Sequence, residues 1–114
     1  MAKKYAVIFR AEIDQFEEGY TTVARKLRSI ALNEYGCTEF VALTEGSQEV
    51  AISYWSSLEQ IKAWKQHPEH LKAQRLGKSK WYQSYQVQIV EILREYHASK
   101  ENKLEHKETL LDQT

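Results

Sequence analysis

The segment CTEFVALTEGSQEVAISYWS, residues 37–56, decides the fold of this chain. It contains two runs rich in β-branched and aromatic residues, 37–45 and 49–56, which favour β-strands. The short polar stretch GSQ between these runs predicts a tight turn and therefore an antiparallel hairpin. A hairpin in the middle of the chain leaves the segments on both sides to supply the rest of the sheet.

A helix is predicted on the upstream side of this hairpin. Apolar residues recur at helical spacing from Phe16 to Ala31, while the basic residues between them lie off that stripe. Asp14 and Glu17 have the spacing of a capping box, which predicts that the helix begins there. Gly36 suits the left-handed conformation in which many helices end.

A second, interrupted helix is predicted on the downstream side. Ser56 and Glu59 have the spacing of another capping box. The pair His67-Pro68 predicts a break and a restart, because proline fits the first position of a helix and disrupts its interior. The second piece is expected to end at Gly77.

Two outer strands complete the pattern, in KYAVIFRAE (4–12) and KWYQSYQVQIVEILREY (80–96). The resulting order β-α-β-β-α-β predicts a ferredoxin-like α+β fold with a four-stranded antiparallel sheet. Right-handed crossovers place both helices on one face of that sheet. We assign residues 1–96 to one domain and the polar residues 97–114 to a C-terminal tail.

The predicted strands are apolar on both sides. Val7 and Phe9 point away from Ile8, and Val41 points away from Phe40. The helices can cover only one of these faces, and a large exposed apolar surface marks an interface. We therefore expect a homodimer in which the open sheet faces of two copies pack together.

The charge balance excludes several classes of partner. Sixteen Lys and Arg residues balance sixteen Asp and Glu residues, so no overall positive field attracts nucleic acid or an anionic membrane. RNA-recognition modules share this element order, but residues 49–56 lack the glycine and basic residues that such modules carry there. No apolar stretch approaches membrane-spanning length. The lone Cys37, expected to be buried, favours a reducing cytoplasm.

The stretch YWSSLEQIKAWKQHPEHLKAQRLGKSKWYQSYQVQIVEILREY, residues 54–96, resembles the antibiotic biosynthesis monooxygenase domain family of the dimeric α+β barrel superfamily. Trp55 at the end of a hairpin strand, Trp64 on a helix, the HPEH motif and Gly77 carry the likeness, which extends over about residues 4–96. The resemblance implies a dimeric α+β barrel with a cavity between sheet and helices in each subunit. It also implies monooxygenase-like oxidation of an aromatic or phenolic small molecule, or of haem, with dioxygen.

The resemblance also suggests site residues. Trp64 matches the family's helix tryptophan, and His70 matches a polar or aromatic position six residues on, so both are catalytic candidates. The alternative to a catalytic role is a structural one, in which Trp64 is a core residue and His70 is a half-exposed histidine that covers its helix. Arg10 lies in an apolar strand and needs an anion or a path to solvent. The substrate-binding candidates are Tyr54, Trp81, Tyr82, Tyr85 and Arg10.

No cofactor is expected from the residues themselves. The haem-degrading relatives place a haem-ligating histidine ten positions after the helix tryptophan, where this chain has Gln74, and an asparagine in the first strand, which this chain lacks. Haem stays open only through His67 or His70 in another geometry. These two histidines have no third ligand nearby in sequence, so no metal site is predicted.

Two functions follow as hypotheses. One is an oxidoreductase that uses the cavity bounded by Trp64, His70 and the aromatic last strand. The alternative is a non-catalytic homodimer that binds a small molecule in the same fold. Turnover separates them, because a binding protein changes its stability with ligand and forms no product.

Overall fold

The computed structural model describes residues 3–14 and 18–100. It confirms the predicted β-α-β-β-α-β order and the interruption of the second helix. The elements are β1 (Tyr5–Ile13), α1 (Tyr20–Glu34), β2 (Glu39–Glu45), β3 (Gln48–Trp55), α2 (Leu58–Lys65), α3 (Pro68–Leu76), a π-helical turn (Gly77–Trp81) and β4 (Tyr82–Glu91).

The four strands form one antiparallel sheet in the order β2-β3-β1-β4. In its central row Phe9 lies between Ala51 on β3 and Val87 on β4, and Ala42 of β2 lies beyond Ala51. Side chains alternate between the two faces, as expected for extended strands. All helices pack on the face of this row, which we call the helix face, and the other is the open face.

The core lies between the helix face and the helices. Trp55 of β3 and Ile61 of α2 are fully buried, and Trp64 of α2 packs with them. Ile30 and Ala31 bring α1 into the same cluster. A second cluster of Ile13, Tyr20 and Trp81 joins the start of α1 to the approach to β4. The helices are thus held at two places, with space between them.

The start of α1 differs from the capping prediction. The helix begins at Tyr20 after Gly19, whose φ of 98° is left-handed, and no side chain caps it. The Asp14 backbone N–H instead donates to the carbonyl of Trp81 at 2.8 Å, which continues the pairing beyond β1. The prediction that Asp14 caps this helix is therefore wrong, because strand pairing uses that residue. Phe16 and Glu17 lie outside the described residues.

The second helix begins one residue later than predicted. Ser57, not Ser56, is the N-cap, and its hydroxyl accepts a hydrogen bond from the Gln60 N–H at 3.2 Å. The Gln60 side chain reaches back and accepts from the Ser56 hydroxyl at 2.9 Å. His67 caps α3 through Nδ1, which accepts from the Glu69 N–H at 3.1 Å, and Pro68 is the first helical residue.

The last strand is shorter than the predicted 80–96. α3 passes into the π-helical turn before β4 begins at Tyr82. Gly77 has a right-handed φ of −59°, and a Cβ there would lie 2.7 Å from Cε2 of Tyr82. Its role is therefore close approach of the backbone to that ring. Residues 92–96 are described without strand structure, and residues 101–114 of the tail lie outside the description.

Candidate functional site

A cavity of about 490 Å³ lies between the helix face and the helices. Its floor includes Ala42 and Ala51 in the same sheet row as Phe9 and Val87. Larger side chains at these two alanine positions would occupy part of the cavity. The small methyl groups therefore leave cavity volume above β2 and β3. Sites for small molecules are typically about 300–1,000 Å³, mostly apolar with a few polar groups.

Trp64 forms one wall of this cavity and is also part of the core. It is 6% exposed, and its Nε1–H donates to the Leu27 carbonyl of α1 at 3.3 Å. Its ring packs on Trp55 with centroids 5.2 Å apart and meets Phe40 edge-on at 6.2 Å. These contacts hold the indole in one orientation, so it offers the cavity a rigid aromatic surface.

His70 lies in the cavity against the same indole. Its ring is nearly perpendicular to that of Trp64, with centroids 4.4 Å apart. The Gln74 side-chain amide lies 3.3 Å from Nδ1 of His70. Burial, with smaller contributions from the charges of Lys65 and His67, lowers the pKa of His70 to about 4. The imidazole is therefore neutral at physiological pH and acts there through hydrogen bonds.

Aromatic side chains of β4 form the opposite wall. The Tyr82 hydroxyl donates a hydrogen bond to the Tyr20 hydroxyl at an O···O distance of 3.2 Å. Burial raises the pKa of both phenols, so both remain protonated at physiological pH. Tyr85 is 42% exposed and stacks on Phe9 with centroids 6.0 Å apart. The cavity thus has an aromatic wall with one hydroxyl pair.

Glu49 is a cavity residue that the sequence reasoning missed. It is 8% exposed, and the Thr44 hydroxyl on the neighbouring strand donates to its Oε2. A signal was available in the alternation of β3, where Glu49 shares the helix face with Ala51, Ser53 and Trp55. A carboxylate in that series breaks an otherwise apolar or small pattern.

Three of the predicted substrate-binding residues lie away from the cavity. Trp81 is 5% exposed and packs edge-on against Tyr20 at 5.0 Å, in the second core cluster. Tyr54 is on the open face, with the Lys3 ammonium 4.9 Å from its ring centroid. Arg10 is exposed on the open face, beside a shallow depression. The cavity therefore brings together Trp64, His70, Tyr82 and Tyr85 of the seven predicted residues.

The donor set does not fit the haem-ligating arrangement of the haem-degrading relatives. The expected ligand position is Gln74, which lines the cavity, and an amide is not among the usual axial ligands of haem iron. Nδ1 of His67 is engaged as the cap of α3. Within residues 3–14 and 18–100, no three His, Cys, Asp or Glu side chains come together as a metal site.

The sequence of residues 6–76 matches the family model described as antibiotic biosynthesis monooxygenase. The chain belongs to this family. It is also 33% identical over 92 residues to an uncharacterized protein, YqjZ, of Bacillus subtilis (strain 168), which covers 80% of this chain and 81% of that protein. The segment that matches the family model, residues 6–76, includes Trp64 and His70 and ends before β4.

Solved structures share the fold at low sequence identity. SnoaB, a cofactor-independent oxygenase from Streptomyces nogalater, superposes with a TM-score of 0.69 at 12% identity, over 86% of this chain and all of that one. A putative antibiotic biosynthesis monooxygenase from Nitrosomonas europaea superposes with a TM-score of 0.69 at 15% identity, over 85% and 97%. None of the described helices is long and apolar enough to cross a membrane.

Proposed function

We propose that this protein is a small monooxygenase-like oxidoreductase that oxidises an aromatic or phenolic small molecule with dioxygen. The observation that carries the proposal is the cavity of about 490 Å³, with its aromatic walls and a lining surface that is mostly apolar. Family membership supports oxygen chemistry in such a site. Gln74 at the haem-ligand position favours a phenolic substrate over haem.

The chemistry balances without an external reductant when the substrate supplies all four electrons. A CH₂ group conjugated with a phenol ring loses two hydrogens and becomes a carbonyl. One oxygen atom of dioxygen enters the carbonyl, and the other leaves as water with the two hydrogens. The protein's task is then to exclude water, hold the ring, and stabilise the phenolate that reacts with oxygen.

Trp64 and His70 are the proposed catalytic residues. The indole of Trp64 provides a fixed surface on which a flat substrate packs, because its own contacts leave it one orientation. The neutral imidazole of His70 offers a hydrogen bond to a substrate oxygen beside that surface. Tyr82 and Tyr85 enclose the ring from the β4 side.

We also propose that the functional unit is a homodimer formed through the open face. Leu43 is 70% exposed and Val41 is 37% exposed there, next to the half-buried Val50 and Ile52. Packing two such faces together removes this apolar surface from water, which is favourable at about 25 cal/mol per Å². The lone, buried Cys37 supports a reducing cytoplasm as the location.

Oxygen uptake with a panel of hydroquinones and polycyclic phenols tests the proposal. We expect uptake with at least one member, and a loss of about 10- to 100-fold in kcat/KM for Trp64→Phe and for His70→Gln. Trp81→Phe is the matched control, since Trp81 is buried outside the cavity. Absence of uptake with every phenol, together with a spectral shift on adding haem, would contradict it.

The alternative is a non-catalytic binding protein, and the low pKa of His70 favours it. A ring that stays neutral near pH 7 supplies no proton to a reaction at that pH. Ligands would then raise the melting temperature without oxygen uptake. In that case Trp64→Phe and His70→Gln would change affinity or stability alone.

A further inference from the structure

We propose that the cavity is electrically polarised along its length and takes a hydroxylated aromatic carboxylate, with the hydroxyl at Glu49 and the carboxylate at the opposite end. We call the part around Glu49 and Thr44 the acidic end, and the part around Arg28 and Lys65 the basic end. The inference rests on the proposed function, because it assumes an aromatic ligand in this cavity.

The acidic end presents a carboxylate oxygen that can accept a hydrogen bond from a ligand. Glu49 is more than nine-tenths buried, and Thr44 satisfies its Oε2. Within the described residues no hydrogen bond is made to Oε1, and no cation lies within ion-pairing distance of Glu49. Every fully buried side-chain oxygen of the described residues has a hydrogen-bond partner, so Oε1 keeps accessible surface. A carboxylate oxygen accepts hydrogen bonds, and a ligand hydroxyl in the cavity can donate one to Oε1.

Glu49 is also the one carboxylate among the described residues that line the cavity. Burial, with a smaller contribution from the charge of Glu49, raises the pKa of the Tyr20 and Tyr82 hydroxyls, so both stay neutral. Among the described residues that line the cavity, no second negative charge therefore lies at this end. A ligand carboxylate placed here would be repelled, whereas a phenol is accepted.

The basic end carries two cations that take part in none of the ion pairs of the described residues. Arg28 of α1 lies with its guanidinium carbon 6.0 Å from the Phe40 ring centroid, and Lys65 of α2 follows Trp64 directly. Both line the cavity, as do Arg25 and Lys78, of which Lys78 follows Gly77 beside the Tyr82 ring and is not part of the basic end. The ion pairs among the described residues, Lys3–Glu39 and Lys26–Glu69, involve none of these four. A positive field at the rim attracts an anionic ligand group.

The two ends are separated along β3. Phe40 pairs with Ser53, and Thr44 pairs with Glu49. The two rows are four residue positions apart along the strand, which is about 13 Å at about 3.3 Å per residue. A two-ring aromatic with a polar group at each end matches this scale better than a single ring.

Three naphthalene probes separate the contributions of the two ends. They are 6-hydroxy-2-naphthoate, its methyl ether 6-methoxy-2-naphthoate, and 2-naphthol, which lacks the carboxylate. Titration calorimetry without oxygen measures their binding to the full chain. We expect the methyl ether to bind about 10- to 100-fold more weakly than the hydroxy acid. We expect 2-naphthol to bind about 3- to 10-fold more weakly, by a factor that shrinks with added salt.

Variants at each end should change only one ratio. Glu49→Gln should reduce the preference for hydroxyl over methoxyl and leave the preference for carboxylate. The double variant Arg28→Gln/Lys65→Gln should do the reverse. The matched controls are Glu91→Gln, exposed on β4, and Lys72→Gln/Arg75→Gln, exposed on α3 outside the cavity. Both controls should retain both preferences.

Equal binding of the hydroxy acid and its methyl ether to the wild-type protein would overturn the proposal. So would an unchanged hydroxyl preference in Glu49→Gln, or no binding of the hydroxy acid at millimolar concentration. The oxygenase function can fail independently, because these probes are compared by affinity alone. Binding with both preferences but without oxygen uptake for any phenol supports the polarised cavity and contradicts the enzyme.

Discussion

The helix face and the open face of the sheet are built from similar apolar side chains but differ in what covers them. On the helix face Val7 is 6% exposed and Trp55 is fully buried under the helices, although Ile89 of β4 on the same face is 47% exposed. On the open face Val41 is 37% and Leu43 is 70% exposed. Alternation along a strand therefore reports which residues share a face, whereas burial depends on what the rest of the chain, or a second chain, places over that face.

The difference also separates stability from association. Buried side chains on the helix face stabilise the single subunit, because their contacts are made within the chain. Side chains on the open face contribute only when another surface meets them. Substitutions on the two faces should consequently respond to different measurements.

The largest expected effect is on the helix face. Trp55→Ala should lower the free energy of unfolding by about 3–5 kcal/mol, because it leaves a large cavity in the core. Urea denaturation followed by circular dichroism measures this. Leu93→Ala, at a position 87% exposed, is the control and should change stability by less than about 0.5 kcal/mol. Similar losses for both variants would contradict the assigned core.

Next in size is an effect on the open face. Ile52→Lys places a charge at the centre of the proposed interface and should raise the dimer dissociation constant about 100-fold or more. Sedimentation equilibrium at low micromolar concentration measures it, and Leu71→Lys on α3 should leave association unchanged. A wild-type protein that sediments as a folded monomer would refute the homodimer.

A smaller effect is expected from the titration of His70 on the helix side. Its folded-state pKa of about 4 lies below the ordinary 6.5, so the unfolded chain binds more protons between these pH values. Stability should therefore be complete above pH 6.5 and fall by about 1–3 kcal/mol as the pH drops towards 4. Urea midpoints at several pH values test this. His70→Gln should flatten the dependence, whereas His97→Gln, at an exposed position, should retain it.

The smallest effect concerns the helix that presents Trp64 to the cavity. Ser57→Ala removes the hydroxyl that accepts the Gln60 N–H and should cost about 1 kcal/mol of stability. Thermal denaturation measures the loss. Ser84→Ala, exposed on β4, should have no measurable effect. An equal cost for Ser56→Ala and Ser57→Ala would argue that the cap is shared between the two serines.

Local signals predicted most of the fold and part of the site. His67-Pro68 marked the break between α2 and α3, because proline lacks the N–H that a helix interior needs. The capping signals were less reliable. The Asp14 N–H extends the strand pairing instead of lying at a helix cap, and Ser57 rather than Ser56 caps α2. Among the predicted site residues, Trp64 near the end of α2 and His70 near the start of α3 are only six residues apart. The short break between the two helices brings both side chains into the cavity.

The sequence by itself determined the order of the elements, the two-sided apolar character of the strands and the family. These follow from spacings of two and three to four residues, which act over short stretches of chain. Only the tertiary structure decided that Glu49 enters the cavity and that Tyr82 meets Tyr20, 62 residues away. Such contacts depend on how the crossovers lay the helices over the sheet, and no local pattern encodes that placement.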